Sequence, residues 1–318
     1  MRDFIIMVGL PGSGKSTIAK DFENNYHSKV FSSDEYRKKL LGSEENQGNN
    51  ALVFNTIYAD LKEFFKSGKD AILDATNITR KGRVQWINLA KSFGYTITAY
   101  VVNTKLSECV KRDSNRERKV GVQVMQKMIK RFECPQYFEG FDCIYITTLN
   151  PYNESKRSAY LEKMDNFDQN NHHHDFTVGV HCQKLSQYIK NNFPNSSMEE
   201  AGSWHDVGKM FTQTTDEEGE SHYIGHANYS SYWILTHNEV VNFNNDTNTL
   251  LDIIFYVNEH MHIRDIIKST KAVKKYKDIF GEKKYEELIQ FNKADNASAR
   301  IEVTDGLSRD TGKNEEKA

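Results

Sequence analysis

A short apolar run, Phe4 to Val8, leads directly into Gly9-Leu10-Pro11-Gly12-Ser13-Gly14-Lys15-Ser16-Thr17, and a helical pattern opens at Ser16. This is Walker A spacing in the strand-turn-helix setting that gives it meaning. The glycines let backbone N–H groups turn inward around a phosphate, and the helix N-terminus adds partial positive charge. Lys15 is expected to bridge the β- and γ-phosphates of ATP and Ser16 to ligate Mg²⁺, with Gly12, Ser13, Gly14 and Thr17 completing the nucleotide cradle.

Around this loop, β-branched and apolar runs alternate with amphipathic stretches, the pattern of a mostly parallel sheet covered by helices. Strands are expected at Phe4 to Val8, Lys29 to Ser32, Asp70 to Leu73, Tyr95 to Val102 and Cys143 to Thr147. Helices are expected at Ser16 to Asn25, Asp34 to Leu41, Asn50 to Lys66, Arg80 to Phe93, Leu106 to Asn115 and Gly121 to Arg131. After Thr147 the chain is polar until residue 170, which predicts a linker with at most a short helix. From His181 onward the apolar spacing is helical, with loops at 213–221 and 241–248 and a frayed tail. The division is therefore an α/β P-loop unit over 1–148, a linker over 149–170, an all-α unit over 171–305 and a tail over 306–318.

Charge divides along the same line. Residues 1–150 carry 23 Lys and Arg against 17 Asp and Glu, and residues 151–318 carry 19 against 27, so the halves stand at +6 and −8. Different partners are implied for a basic front and an acidic back. Ten of the eleven histidines lie at or beyond His172, which places any imidazole chemistry in the second half. Four cysteines without metal-knuckle spacing, and no apolar stretch near a membrane span in length, point to a reducing cytoplasm and no membrane.

The acceptor side of a P-loop site is read from the strand ends. Asp34, just past the second strand, faces the crevice where substrates of open α/β sheets bind, and Arg37 lies three residues on along the same helix face. A carboxylate beside a guanidinium suits proton removal from a hydroxyl next to a phosphate, although a helix cap and a surface cation would look the same. Asp74-Ala75-Thr76-Asn77 ends the third strand in the same crevice. Lys111, Arg112, Arg116, Arg118 and Lys119 crowd one segment, as a lid over the phosphates would or as a solvated basic face would.

In this order, Walker A, Asp34-x-x-Arg37, Asp74-x-Thr76-Asn77 and Arg112-x-x-x-Arg116 resemble the phage-type 5′-hydroxyl polynucleotide kinases over about residues 1–148. The resemblance implies that Asp34 is the general base, that Arg37 holds the phosphate adjoining the reactive end, and that Asp74 orients Arg37. It implies further that Arg112 and Arg116 meet the transferring phosphates and that Thr76 and Asn77 line the nucleic-acid side.

In the second half, His205-Asp206-Val207-Gly208-Lys209 is expected on a helix, with His181 before it and His226, His260, His262 and Asp295 after it. Imidazole and carboxylate form a mixed nitrogen and oxygen set that suits Mn, Fe, Co, Ni, Zn or Mg. The ordered set resembles the HD-domain metal phosphohydrolases over about residues 170–305. That resemblance implies His181, His205, Asp206 and Asp295 as ligands, with His226 and His260 where two-metal members add more, so one or two ions remain open. Lys209 is placed either on the scissile phosphate or facing solvent. His172, His173 and His174 resemble the entry of HD domains in end-processing proteins.

Together the two resemblances imply an end-healing enzyme acting on RNA or DNA ends, RNA favoured. It would phosphorylate 5′-hydroxyls with ATP and Mg²⁺, remove terminal 2′,3′-cyclic, 2′- or 3′-phosphates, and hand its product to a separate RNA ligase. Two other classes fit the motifs: a small-molecule or nucleoside kinase joined to a nucleotide phosphohydrolase, and an ATP-binding regulatory module.

Overall fold

The computed structural model describes residues 2–116, 119–170 and 175–299; Arg118, His172, His173, His174 and the 306–318 tail lie outside them. Five strands, β1 (Asp3–Val8), β2 (Lys29–Ser32), β3 (Ala71–Asp74), β4 (Thr96–Val101) and β5 (Cys143–Ile146), form a parallel sheet in the order β2-β3-β1-β4-β5. Each expected strand is present, with ends shifted by at most one residue. β1 and β3 are covered on both faces and read as continuous apolar runs, whereas β5 at the edge alternates buried and exposed residues.

The helices α1 (Lys15–Tyr26), α2 (Ser33–Leu41), α3 (Asn50–Phe65), α4 (Arg80–Ser92), α5 (Leu106–Ser114) and α6 (Val122–Ile129) connect and cover the strands. The register pairs Ser32 with Asp74 and Val8 with Val101. The phosphate loop after β1, Asp34 after β2 and Asp74 at the end of β3 therefore open onto one carboxyl-terminal edge, where open α/β sheets bind ligands.

The remaining chain is mainly helical: α7 (Glu154–Asp165), α8 (Val178–Asn192), α9 (Ser196–Trp204), α10 (Lys209–Thr212), α11 (His226–Thr236), α12 (Thr247–Glu259), α13 (Ile263–Ile266), α14 (Thr270–Phe280) and α15 (Glu282–Ser298). The polar 149–170 stretch holds α7, capped by the Asn153 side chain on the Lys156 N–H and tied down by an Arg157–Glu200 ion pair at 2.5 Å. Within the 213–221 loop, Thr214–Thr215 pairs antiparallel with Ser221–His222.

One sequence expectation is corrected. His205 and Asp206 do not lie inside a helix: α9 stops at Trp204 and α10 begins at Lys209. Between them the N–H groups of Val207, Lys209 and Met210 bond three residues back, to Trp204, Asp206 and Val207. The chain thus tightens into a turn, which an apolar periodicity cannot distinguish from a continuing helix.

Most buried apolar side chains form one contiguous cluster from Phe4 in β1 to Ala294 in α15, and a smaller one gathers Met7, Ala19, Val30, Ile72 and Val102. Polar contacts stitch the same seam. Asn103 Nδ2 donates to the Leu235 carbonyl at 2.9 Å, Gln136 Nε2 to the Leu251 carbonyl at 3.0 Å, and Arg80 Nη2 meets Glu259 Oε1 at 2.6 Å. Among the described residues no helix is long and apolar enough to cross a membrane.

Candidate functional site

The phosphate loop is built by backbone conformations that side chains resist. Gly12 and Gly14 have φ of 78° and 104°, and a Cβ on Gly12 would stand 2.5 Å from the Cys109 carbonyl oxygen of α5. Gly14 caps α1 without any side-chain acceptor, so the first N–H groups of the helix remain available to an anion. Lys15 is buried, its ammonium donating to the Leu10 carbonyl at 2.8 Å. Burial, opposed by the nearby Asp74, Cys109 and Asp34, brings the Lys15 pKa down to about 8. Ser16 and Thr17 are exposed at the loop, and the Ser13 carbonyl accepts from Thr104 Oγ1 at 2.9 Å and Arg112 Nη1 at 3.1 Å.

On the acceptor side, Arg37 is buried while half of the Asp34 side chain is exposed, and Nη1 meets Oδ1 at 2.5 Å. Arg37 also reaches Asn50 Oδ1 at 3.3 Å, and its Nε has no hydrogen-bond partner among the described residues. Its partners there are Asp34 and Asn50 rather than Asp74, contrary to the orientation inferred from the resemblance. Asp74 is buried in the same crevice, close enough for its charge to act on Lys15. Thr76 gives its carbonyl to the Gly9 N–H at 3.1 Å, tying the β3 end to the phosphate loop. Asn77 turns inward: its amide donates to the Met7 carbonyl at 2.8 Å and its φ is +45°. Its carbonyl is gripped at 2.9 Å by Arg83, which also makes a bidentate pair with Glu139 in the interior. Sequence reading missed that pair, whose members lie 56 residues apart.

Arg112 and Arg116 are exposed over this edge, and Arg116 is near enough to depress the Lys15 pKa slightly further. The buried Asp113 carboxylate accepts from the Val120 and Gly121 N–H groups at 2.9 Å.

The second cluster is assembled from α8, α11, α15, the C-terminal end of α12 and the turn after α9. His181 Nε2 lies 3.0 Å from Asp295 Oδ1, 3.2 Å from His205 Nε2 and 3.6 Å from Asp206 Oδ2. On the other side of the same carboxylate, Asp206 Oδ1 is 3.1 Å from His226 Nε2 and 3.7 Å from His260 Nε2, and those two nitrogens are 3.2 Å apart. The structure therefore brings together all six side chains expected here, with Asp206 shared between a His181-His205-Asp295 group and a His226-His260 group.

Each imidazole is anchored through Nδ1. The acceptors are the carbonyls of Ser298 for His181 at 3.2 Å, Gly202 for His205 at 3.0 Å, Tyr223 for His226 at 2.8 Å and Val257 for His260 at 2.7 Å. With the proton fixed on Nδ1, four Nε2 lone pairs and two carboxylates converge on a buried centre. Such a donor set repels itself unless protons or cations lie between its members, and it fits divalent transition metals. Burial opposes ionisation at Asp206 and Asp295, yet the adjacent imidazoles, with Lys209 beside Asp206, hold both carboxyls well below the usual range. At His260, burial and then the charges of His205 and His226 bring the pKa down to about 3.

Lys209 does not face solvent. It is buried, with its ammonium 2.7 Å from Asp206 Oδ2 and 2.6 Å from Gln169 Oε1. His262 stands outside the cluster and pairs with Glu259 at 2.8 Å.

A family model described as an AAA domain matches residues 4–135. The chain is 27% identical over 154 residues to a protein of Methanococcus maripaludis named "L-seryl-tRNA(Sec) kinase", covering 45% of this chain and 57% of that one. It is 26% identical over 157 residues to a protein of Acanthamoeba polyphaga mimivirus named "Putative bifunctional polynucleotide phosphatase/kinase", covering 46% and 33%. Among solved structures, a chain of the "Pnkp1/Rnl/Hen1 RNA repair complex" matches with a TM-score of 0.38 at 20% identity, over 41% of this chain and 43% of that chain. The chain thus spans less than two thirds of the length of these relatives. Its N-terminal half is a P-loop domain of the kinase type.

Proposed function

We propose that the chain is a bifunctional healer of polynucleotide ends, RNA favoured, that phosphorylates a 5′-hydroxyl in the 1–148 unit and removes a terminal phosphate in the 171–305 unit, with 149–170 as the joining segment. The observation that carries this reading is the six-ligand cluster around Asp206, of the kind found in HD phosphohydrolases, on the same chain as a kinase crevice with a carboxylate-guanidinium pair. The mimivirus relative, whose name joins phosphatase and kinase, supports the pairing.

In the kinase crevice, the half-exposed Asp34 carboxylate is placed to take the proton of the attacking hydroxyl, while Arg37 offers a desolvated guanidinium to the neighbouring phosphate. Lys15, Arg112 and Arg116 supply positive charge along the transferring phosphates, and Ser16 stands where a Mg²⁺ ligand is needed. Mg²⁺ when bound supplies charge neutralisation on the phosphates. Positioning and electrostatics are then the remaining work of the protein.

In the second unit, His181, His205, Asp206 and Asp295 would hold one divalent ion (Mn, Fe, Co, Ni, Zn or Mg), and Asp206 with His226 and His260 a second. Bound metal supplies Lewis acidity and a nucleophile at neutral pH. Lys209, held against Asp206, is placed to meet negative charge on the phosphate. A cytoplasmic setting and a separate RNA ligase as recipient belong to the same reading.

The test is incubation of the full chain with labelled ATP, Mg²⁺ or Mn²⁺, and an RNA oligonucleotide bearing a 5′-hydroxyl and a 2′,3′-cyclic phosphate, with both ends resolved by mass. Gain of a 5′-phosphate together with loss of the terminal phosphate supports the reading. If neither end changes, it falls, and small hydroxyl acceptors and nucleosides become the next substrates to test.

A further inference from the structure

A cavity of about 710 Å³ opens beside the histidine cluster, and its wall includes Asp206, Lys209, His226, His260, Asp295 and Arg264. Arg264 was not marked by any motif. It sits on α13, four residues after His260, and its Nη2 donates to Asp295 Oδ2 at 2.7 Å. The other oxygen of that carboxylate, Oδ1, faces His181 and His205. The guanidinium is therefore fixed by the back of a candidate metal ligand, at a defined place on the cavity wall.

An arginine that only neutralised Asp295 would need nothing more than that contact. Instead Arg264 keeps 40% of its side chain exposed, and its buried Nε has no hydrogen-bond partner among the described residues. An oxyanion in the cavity would accept from the part of the fork that Asp295 leaves exposed. Asp206 binds Lys209 and Asp295 binds Arg264, so two cations sit behind the two carboxylates of the cluster and face the same space. A tetrahedral oxyanion has several oxygens to distribute between a point charge and a planar fork.

We infer that Arg264 is a substrate-binding residue of the cavity and grips the non-bridging oxygens of a terminal phosphate monoester or cyclic phosphodiester, opposite Lys209. This rests on the reading of the His/Asp cluster as a metal phosphohydrolase centre. The guanidinium fork contributes direction as well as charge, so lysine at this position is an incomplete replacement.

The test uses the full-length chain loaded with Mn²⁺, inorganic phosphate as the probe, and the variants Arg264→Ala and Arg264→Lys. Manganese content is measured by elemental analysis and phosphate affinity by calorimetry. The expected result is unchanged manganese content in both variants, at least tenfold weaker phosphate binding in Arg264→Ala, and only partial recovery in Arg264→Lys. Wild-type phosphate affinity in Arg264→Ala overturns the inference. So does loss of manganese from that variant, since Arg264 would then act by holding Asp295. A wild-type chain that takes up manganese but no phosphate removes the substrate role while leaving the metal centre standing, whereas a chain that takes up no metal removes both.

Discussion

The Tyr232 hydroxyl, on the helix that begins at His226, donates to the Thr104 carbonyl at 2.6 Å, and the Thr104 hydroxyl in turn donates to the Ser13 carbonyl of the phosphate loop at 2.9 Å. The histidine cluster and the nucleotide cradle are joined by one helix and two hydrogen bonds. Tyr232→Phe removes the first of these bonds, which is worth about 1 kcal/mol. A roughly fivefold loss of ATP affinity is expected, with metal content unchanged, as measured by titration with a fluorescent nucleotide analogue. Unaltered affinity would show that the loop does not depend on this support.

Lys15 predicts a proton linkage. Its folded pKa of about 8 lies below the ordinary 10.5 because burial disfavours the ammonium, so the folded state binds fewer protons between those values. The resulting stability penalty is present in full below about pH 8 and is relieved as pH rises toward 10.5. Triphosphate binding favours the ammonium, so ATP should bind with proton uptake near pH 8 to 9 and with falling affinity above it. Calorimetry in buffers of different ionisation enthalpy measures the uptake directly; none in that range would sink the assignment.

Asp206 is shared, and that makes single substitutions informative. Asp206→Asn is expected to deplete metal from the whole cluster, whereas His226→Ala should spare the His181-His205-Asp295 group and Asp295→Asn the other. Elemental analysis of the three variants separates a shared centre from independent ones, because equal losses in all three would mean that the groups do not act as two. Chelation of the wild-type chain should lower its melting temperature, as loss of any ligand bound by the native state does.

Gly208 tests packing at the turn. A Cβ there would come within 2.3 Å of the His226 carbonyl oxygen and 2.7 Å of the Ser230 nitrogen, both backbone atoms of α11. Gly208→Ala should therefore cost about 1–3 kcal/mol through overpacking and displace His226 with it. Denaturant unfolding reads the first effect and metal content the second. A stable variant with full metal content would show that α11 moves freely here.

Much of the α/β half was legible because its signals are local. The apolar runs around Phe4, Ile72 and Ile97 and the glycines at 9, 12 and 14 state their structure within a few residues, and the strands form where those runs lie. The six cluster residues were legible only through a resemblance of order, since His181 and Asp295 lie 114 positions apart and no periodicity joins them. The turn at His205 was misread as helix because the apolar spacing continues through it. Arg80–Glu259, Arg83–Glu139 and Tyr232–Thr104 carried no signal at all. Each is a contact between distant segments, formed only once the fold has brought them together.

The interior that runs unbroken from Phe4 to Ala294 has a consequence for how such a chain can change. Phe132 meets Tyr232 with ring centroids 5.3 Å apart, and Phe138 meets Phe280 at 5.1 Å. A kinase piece cut free near residue 148 would present those rings to water, and a helical piece would present theirs, so each excised half would be prone to aggregate. Recombination that exchanged one half for a foreign counterpart would have to rebuild the seam as well, which favours inheritance of the two halves as one indivisible cassette.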